Sequence, residues 1–233
     1  MYKVLISGAT RGIGRAIAIE FAKRGCSIAF CARNEEAVNA FELLLRRDFH
    51  IEAFGFAVDL SSKTEVQQFG VLALQRLGGL DILVNNAGVF LPGTIGMEED
   101  GVFEQLMAVN LAAPYHLSRV LLPELKKSKR AHVFNVCSTA SIMAYTNGGS
   151  YCISKFGLLG MSKVLRAETL GTSIRVTAVI PGATLTDSWS GSDLPAERFM
   201  KAEAVATAVA SCWDVNESAV VEELLIRPLQ GDI

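Results

Sequence analysis

The stretch Lys3-Val-Leu-Ile-Ser7-Gly8-Ala-Thr-Arg-Gly12-Ile-Gly14 decides the fold of this 233-residue chain. A short apolar run leads into a glycine-rich turn, and the helical spacing of apolar residues begins at Gly14. Glycine tolerates positive φ and lets the backbone approach a ligand, and a helix N-terminus attracts a pyrophosphate. The spacing is G-x-x-x-G-x-G and not the usual G-x-G-x-x-G fingerprint. The turn indicates a dinucleotide site, although any tight strand-to-helix turn also uses glycine.

Alternating apolar and amphipathic segments follow this turn along the chain. Apolar runs predict seven strands, at Lys3–Ser7, Ser27–Ala32, Glu52–Val58, Asp81–Val84, His132–Cys137, Ser173–Ile180 and Val220–Ile226. Helical spacing predicts helices at Gly14–Arg24, Glu35–Arg47, Lys63–Leu77, Phe103–Lys126, Tyr151–Thr169 and Ala202–Trp213. Apolar strands joined by amphipathic helices are typical of parallel sheets with helices on both faces. With right-handed crossovers they predict an α/β fold: one Rossmann-type domain over residues 1–233 with a doubly wound, parallel, seven-stranded sheet.

The composition excludes two classes of protein. Half of the residues are hydrophobic, which excludes a disordered chain, and 22 basic side chains nearly balance 24 acidic ones. Binding to nucleic acid through counterion release needs a strong basic excess, so we expect no nucleic-acid partner. The basic run Lys126–Arg130 could form a targeting or nucleic-acid patch. A better explanation is the C-terminus of a helix, whose dipole favours cations.

Cysteine, histidine and apolar patterns bear on metals and location. Five cysteines without CxxC spacing and three scattered histidines predict neither a disulfide framework nor a metal site. The apolar run Val4–Ile6 is too short for a signal peptide, and polar residues interrupt the long uncharged stretch Ala131–Ser154. We therefore expect a soluble, cytoplasmic protein without a membrane partner.

The end of the second predicted strand, Cys31-Ala-Arg33-Asn34, indicates which dinucleotide binds. An NAD site needs a carboxylate here for the ribose 2′-hydroxyl, and that carboxylate repels the 2′-phosphate of NADP. The chain instead has Ala32 and Arg33, and Arg11 in the glycine-rich turn is a second cation. Each arginine alone proves little, but guanidinium groups suit phosphate. The sequence favours NADP(H) over NAD(H).

Tyr151 and Lys155 form a candidate proton-transfer pair. Four residues apart in a predicted helix, they lie on one face, where the ammonium would lower the pKa of the phenol. Ordinary helices often contain such a pair, as Tyr115 and Arg119 illustrate. Ser138 distinguishes Tyr151, because it follows a predicted strand at a point where its hydroxyl can meet the same substrate oxygen.

Other polar or glycine residues also follow predicted strands. Gly8, Asn86, Ser138 and the Pro181–Gly182 pair all lie at carboxyl ends, and Asn110 is in a helix whose other inward positions are apolar. Ligands of doubly wound sheets bind beyond the carboxyl ends of the strands. We expect one crevice to collect them.

Over essentially its whole length the chain resembles the classical short-chain dehydrogenase/reductase family. The matching residues are Ser7-Gly-Ala-Thr-Arg-Gly-Ile-Gly14, Asp59, Asn85-Asn-Ala-Gly88, Asn110, Ser138, Tyr151-Cys-Ile-Ser-Lys155, Pro181-Gly182 and Thr186. The resemblance implies that Tyr151 is the general acid and that Ser138 holds the substrate carbonyl. It implies that Lys155 binds the nicotinamide ribose and that Asn110 holds a water of the proton relay. It further implies a set of cofactor contacts: Gly8, Arg11, Gly12, Ile13, Gly14, Arg33, Asp59, Leu60, Asn86, Ala87, Gly88, Tyr151, Lys155, Pro181, Gly182 and Thr186.

Two departures from the family pattern bear on the subfamily. Ser7 replaces the usual threonine but keeps a hydroxyl. The C-terminal run Val220–Pro228 lacks the Val-Asp-Gly-Gly ending common in ketoacyl-carrier-protein reductases. With Gln230-Gly-Asp232 it looks more like bacterial sepiapterin-reductase-like members.

The substrate side is expected after Pro181–Gly182. Residues 184–201 mix glycine with aromatic side chains and form either a lid or a surface loop pinned by Trp189. We expect Ser138, Tyr145, Tyr151 and Trp189 to contact the substrate, with Phe90 and Ile142 as further pocket walls. Such a pocket suits a planar or aliphatic carbonyl compound better than a polyanionic one.

The helix that begins at Tyr151 has apolar side chains on more than one face, including Phe156. An exposed apolar face marks an interface, and the resemblance implies dimers or tetramers, so we expect a homo-oligomer. The expected activity is NADPH-dependent reduction of a small-molecule ketone, sepiapterin-reductase-like or of general carbonyl reductase type. Reduction of 3-ketoacyl groups on acyl carrier protein is an alternative. A non-catalytic NADPH-sensing protein is an alternative of another class.

Overall fold

A parallel sheet runs through the computed structural model, which describes residues 1–189 and 193–232. Its strands are β1 (Lys3–Ser7), β2 (Ser27–Ala32), β3 (Ala53–Ala57), β4 (Ile82–Asn85), β5 (Ala131–Val136), β6 (Ile174–Pro181) and β7 (Glu223–Ile226). Its helices are α1 (Gly12–Lys23), α2 (Glu35–Phe49), α3 (Lys63–Leu77), α4 (Val102–Met107), α5 (Ala113–Leu125), α6 (Gly149–Glu168) and α7 (Ala202–Asp214). Short 3₁₀ turns lie at Thr139–Ser141, Asp187–Trp189 and Ala196–Arg198.

The strand order is β3-β2-β1-β4-β5-β6-β7, and every strand pair is parallel. The order reverses between β1 and β4, which are neighbours although two strands lie between them in the sequence. The predicted doubly wound, Rossmann-type α/β fold with seven parallel strands is confirmed. The reversal opens a crevice at the carboxyl ends of β1 and β4.

Helices cover both faces of the sheet, which explains why the strands are apolar throughout. Side chains of one strand alternate between faces, and in β1 Val4 and Ile6 pack on one side while Leu5 packs on the other. The first face lies under α1, α2 and α7, and the second under α3, α5 and α6. Phe21 and Phe41 fill the first core, and Phe69 fills the second.

The single helix predicted over Phe103–Lys126 is two helices separated by a wide π-helical turn at Ala108–Ala112. In this turn the Ala113 N–H donates to the Ala108 carbonyl, five residues back. Pro114 explains the interruption, because it has no N–H to donate to the Asn110 carbonyl. The wide turn places the buried Asn110 side chain against the crevice loops.

Two further observations concern the helices and the cysteines. Within the described ranges, no helix combines the length and apolar character needed to cross a bilayer. All five cysteines are buried and free.

Candidate active site

Asn86 joins the two loops at the switch point of the sheet. Its side-chain Nδ2 donates to the carbonyl oxygens of Ser7 at 3.0 Å and Gly8 at 2.8 Å. In return, the Ser7 hydroxyl accepts the backbone N–H groups of Asn86 and Ala87, both at 3.1 Å. The hydroxyl retained at position 7 therefore has a structural use, and four hydrogen bonds fix the glycine-rich turn to the end of β4.

Gly14 is required by the close approach of these loops. A methyl group at this position would collide with the Gly8 carbonyl oxygen and with the Asn86 amide. Both groups are held by the hydrogen bonds described above, so neither can move cheaply. The third glycine of the motif makes room for the Asn86 clamp.

The N-terminus of α1 differs from those of the next two helices. Asn34 caps α2 and Ser62 caps α3, each by accepting a backbone N–H with its side chain. By contrast, Arg11 makes no side-chain cap, and the first turn of α1 has no acidic residue. The first N–H groups of a helix need acceptors, and an anion supplies them. The end of α1 is therefore suited to a pyrophosphate.

The two arginines that were predicted to bind a phosphate have different neighbours in the structure. Arg33 is exposed and close enough to Asp59 to help lower the pKa of that carboxyl, although hydrogen bonds from Ser61 contribute more. Arg11 instead forms a 2.6 Å ion pair with Asp187, at the start of the predicted lid. A phosphate would meet Arg33 directly and would compete with Asp187 for Arg11.

A cavity of about 330 Å³ lies at the carboxyl ends of β4, β5 and β6. It is lined by residues predicted to act in catalysis, to bind the cofactor or to contact the substrate: Ile13, Asn86, Gly88, Phe90, Ser138, Tyr145, Tyr151, Lys155, Pro181, Gly182, Thr186 and Trp189. The cavity therefore brings together Asn86, Ser138 and the Pro181–Gly182 pair as expected, whereas Gly8 is not among its lining residues. Asn110 lies behind its wall, whereas Arg33, Asp59 and Leu60 lie apart from it, at the ends of β2 and β3.

Tyr151 lies in the cavity beside the Ser138 side chain, which is close enough to influence the pKa of its phenol. Burial raises the pKa of this phenol to about 12, and Ser138 only partly opposes the rise. The pKa of the phenol is thus raised and not lowered as expected, because burial outweighs the contribution of Ser138. At neutral pH the phenol therefore stays in the protonated form that a proton donor needs.

Lys155 is buried and points past Tyr151 towards the loop after β4. Its Nζ donates to the Val136 carbonyl at 2.9 Å and lies 5.9 Å from the centroid of the Tyr151 ring. Burial lowers the pKa of this ammonium. A methyl group on Gly88 would lie 3.4 Å from the same Nζ, so the lysine faces the Asn85–Gly88 motif.

Asn110 braces the site. Its Oδ1 accepts the Val89 N–H at 2.8 Å, and its Nδ2 donates to the Val89 carbonyl and to the Ser154 hydroxyl, both at 3.0 Å. Ser154 in turn donates to the Tyr151 carbonyl at 2.7 Å. The side chain thus ties the loop after β4 to α6, and the water contact implied for Asn110 stays a prediction.

The two ends of the predicted lid lie next to each other. Thr184 and Met200 form a parallel bridge, and Trp189 packs on Phe199 with 5.0 Å between ring centroids. Trp189 also lines the cavity. Residues 190–192 of this segment lie outside the described residues, and its action as a lid stays a prediction.

Sequence reasoning misplaced one pocket wall and missed one charged residue. Ile142 is half exposed away from the cavity, and Met143 lines it instead. Asp232 also lines the cavity, and its carboxylate pairs with Arg227 at 3.2 Å. A methyl group on Gly182 would lie 3.1 Å from its Oδ1. The sequence marks Asp232 only as part of the Gln230–Asp232 ending, because no spacing along the chain places it beside the other site residues.

Comparisons with known proteins agree with this geometry. The family model described as short chain dehydrogenase matches residues 2–195. The chain is 30% identical to a sepiapterin reductase of Chlorobaculum tepidum, over 99% of this chain and 97% of the relative. It is 31% identical to a 3-oxoacyl-[acyl-carrier-protein] reductase of Haemophilus influenzae, over 88% of each.

A solved structure gives the same result for the fold. An alcohol dehydrogenase from the archaeon Thermococcus sibiricus, complexed with 5-hydroxy-NADP, superposes with a TM-score of 0.93 at 26% identity. The match covers 100% of this chain and 99% of that one. With a family model over most of its length and relatives matched from end to end, the chain belongs to the short-chain dehydrogenase/reductase family of oxidoreductases.

Proposed function

We propose that the protein uses NADPH to reduce a ketone carbonyl of a small molecule to an alcohol. One observation carries the proposal: Ser138, Tyr151 and Lys155 line a single cavity together with the Gly88 and Gly182 loops. The two loops follow β4 and β6. The proton donor therefore lies at the carboxyl ends of these strands, where ligands of doubly wound sheets bind.

The described residues fit a dinucleotide. The uncapped N-terminus of α1 suits the pyrophosphate, and Arg33 suits a 2′-phosphate at the end of β2. When bound, NADPH supplies the hydride for the carbonyl carbon. The alcohol dehydrogenase that superposes with this chain was solved with 5-hydroxy-NADP, which supports the same cofactor class.

Tyr151 and Ser138 together polarise and protonate the substrate oxygen. The phenol remains protonated at neutral pH because burial raises its pKa, so it donates a proton to the carbonyl oxygen as charge develops there. The Ser138 hydroxyl, which lines the same cavity close to the phenol, holds the same oxygen. Lys155 presents its ammonium beside this pair, with its Nζ 5.9 Å from the centroid of the Tyr151 ring.

The cavity favours a neutral, planar ketone with N–H donors, such as a pterin. Phe90, Tyr145, Met143 and Trp189 supply aromatic and apolar surface. Asp232 adds a carboxylate that accepts N–H groups and repels anions. The sepiapterin reductase among the relatives supports this substrate class.

Reduction of 3-ketoacyl groups on acyl carrier protein is the alternative, supported by the Haemophilus influenzae relative. An acidic carrier needs a basic patch near the cleft. The run Lys126–Arg130 lies between the end of α5 and the start of β5, at the amino ends of the strands. The cavity lies at the carboxyl ends, so this run is on the wrong side of the sheet for that role.

We also propose that the protein forms a homodimer or homotetramer. Ile153, Phe156 and Val164 of α6 are 42%, 45% and 57% exposed, which leaves an apolar helix face without cover in the described chain. Apolar faces of this kind mark interfaces. A cytoplasmic location remains part of the proposal.

A substrate screen tests the proposed function. NADPH oxidation is followed with diketones, quinones, pterins and acetoacetyl thioesters, for the native chain and for Tyr151→Phe. We expect turnover of the pterin or diketone, and a loss of about 100-fold or more in Tyr151→Phe with little change in NADPH affinity. Preference for the thioester would favour the alternative reaction. If no substrate is reduced although NADPH binds, the result would favour the alternative of a non-catalytic NADPH sensor.

A further inference from the structure

The helix that carries Tyr151 has no N-terminal cap of its own. α6 begins at Gly149, Gly148 has no side chain to accept a hydrogen bond, and the first turn has no acidic residue. The first N–H groups of a helix lack partners within it, and an uncapped end frays. Tyr151 lies in this first turn, so the proton donor is on the part of the helix that most needs an external partner.

Glu98, 52 positions earlier in the chain, supplies that partner. Its Oε1 accepts the Ser150 N–H at 2.8 Å, and its Oε2 accepts the Ser150 hydroxyl in a short hydrogen bond. A carboxylate at a helix N-terminus also interacts favourably with the helix dipole. Glu98 thus does for α6 what Asn34 and Ser62 do for their own helices.

The surroundings are shaped around the Glu98 carboxylate. A methyl group on Gly149 would collide with its Oε1, and one on Gly93 would lie 2.7 Å from its Cγ. The loop is fixed on both sides of this contact: the Gly93 N–H donates to the Asn147 carbonyl, and the Glu98 N–H donates to the Thr94 carbonyl. These bonds direct Glu98 at the start of α6.

The same segment contacts the phenol itself. Phe90 packs edge-on against Tyr151 with 4.8 Å between ring centroids. Further along the helix, Lys155 is anchored separately on the Val136 carbonyl. The 90–98 segment therefore holds the start of α6 at two points. Phe90 contacts the Tyr151 ring, and Glu98 accepts the backbone N–H of Ser150.

We propose that Glu98 is a positioning residue for the proton donor: by capping α6 from the loop after β4, it holds the Tyr151 phenol on Ser138. The inference rests on the proposed function for its catalytic consequence. Tyr151 and Ser138 belong to different elements, and a displacement of about 1 Å between reacting groups costs up to about 100-fold in rate. A cap that prevents fraying is thus a requirement for proton transfer.

Three variants test the proposal. Glu98→Ala removes both acceptors, and Glu98→Gln keeps one acceptor for the Ser150 N–H. Glu99→Ala is the matched control, because Glu99 is exposed and accepts the Val102 N–H only with its backbone carbonyl. We expect Glu98→Ala to lower kcat about tenfold or more with an NADPH KM within about twofold of native. Glu98→Gln should recover most of the loss, and Glu99→Ala should match the native chain.

A second measurement does not depend on turnover. The ultraviolet titration of the Tyr151 phenol, taken as a difference from Tyr151→Phe, should move downwards in Glu98→Ala, because fraying admits water to the buried phenol. An unchanged titration together with native kcat overturns the positioning role. If the titration moves but Tyr151→Phe keeps full turnover, the proposed function fails and the capping role remains.

Should Glu98→Ala fail to fold, Ser150→Ala serves in its place. It removes only the hydroxyl bond to Oε2 and keeps the backbone bond to Oε1. We expect a smaller shift of the Tyr151 titration in the same direction. A native Tyr151 titration together with native kcat in a folded Ser150→Ala would contradict the proposal.

Discussion

Replacement of Asn86 by aspartate tests the clamp at the switch point. The two side chains have the same shape, but the amide Nδ2 becomes an oxygen. This oxygen would face the carbonyl oxygens of Ser7 and Gly8, at the present distances of 3.0 and 2.8 Å. Two hydrogen bonds are lost, and an acceptor replaces the donor that both carbonyls need.

The magnitude follows from those two bonds. Each contributes about 1 kcal/mol net, so Asn86→Asp should lower the free energy of unfolding by about 2 kcal/mol at neutral pH. For a chain of this length that is a fall of roughly 4–8 °C in Tm. Two facing carbonyl oxygens also raise the pKa of the new carboxyl. Its protonated form favours the folded state at low pH, and that contribution is lost as pH rises, so the deficit should grow between about pH 5 and pH 8.

Urea unfolding followed by circular dichroism measures this effect at both pH values, and NADPH titration measures the effect on the site. We expect NADPH binding to weaken about tenfold or more at pH 8, because the added negative charge lies beside the turn suited to the pyrophosphate. Asn86→Ala is the control, with a similar stability loss at both pH values. Native stability of Asn86→Asp at pH 8 would refute the assigned role of the amide.

Four further predictions concern the cofactor, the donor, the substrate and assembly. Arg33→Ala should raise the KM for NADPH about tenfold and leave that for NADH nearly unchanged; equal changes in steady-state kinetics would contradict a 2′-phosphate contact. In the native chain the Tyr151 phenol should titrate near pH 12 and not near 10, by ultraviolet difference against Tyr151→Phe. Because this pKa is raised on folding, the group favours the folded state below about pH 10 and loses that contribution towards pH 12. Asp232→Asn should raise the KM for a pterin substrate about fivefold and spare acetoacetyl thioesters, whereas equal effects on both would remove Asp232 from substrate recognition. Phe156→Glu should shift the protein to monomer in size-exclusion chromatography, and an unchanged oligomer would exclude this face of α6.

Local patterns predicted most of the fold because both faces of every central strand are covered. Buried strands are apolar throughout, and the amphipathic segments between them are long enough for crossover helices, so element type and order follow from the chain itself. The helix prediction is wrong where two local effects oppose each other. The Phe103–Lys126 pattern is continuous in its apolar spacing, yet Pro114 removes one backbone donor and widens the turn around Asn110.

The sequence by itself predicted the strand-and-helix order, the glycine-rich turn and the candidate set of Tyr151, Lys155 and Ser138, because each depends on patterns along neighbouring segments. Only the tertiary structure decided what surrounds those residues. The raised pKa of Tyr151 comes from burial by several elements, and Glu98 and Asp232 reach the site from 53 and 81 positions away. Burial and long-range electrostatics depend on which segments pack together, and no local pattern records that.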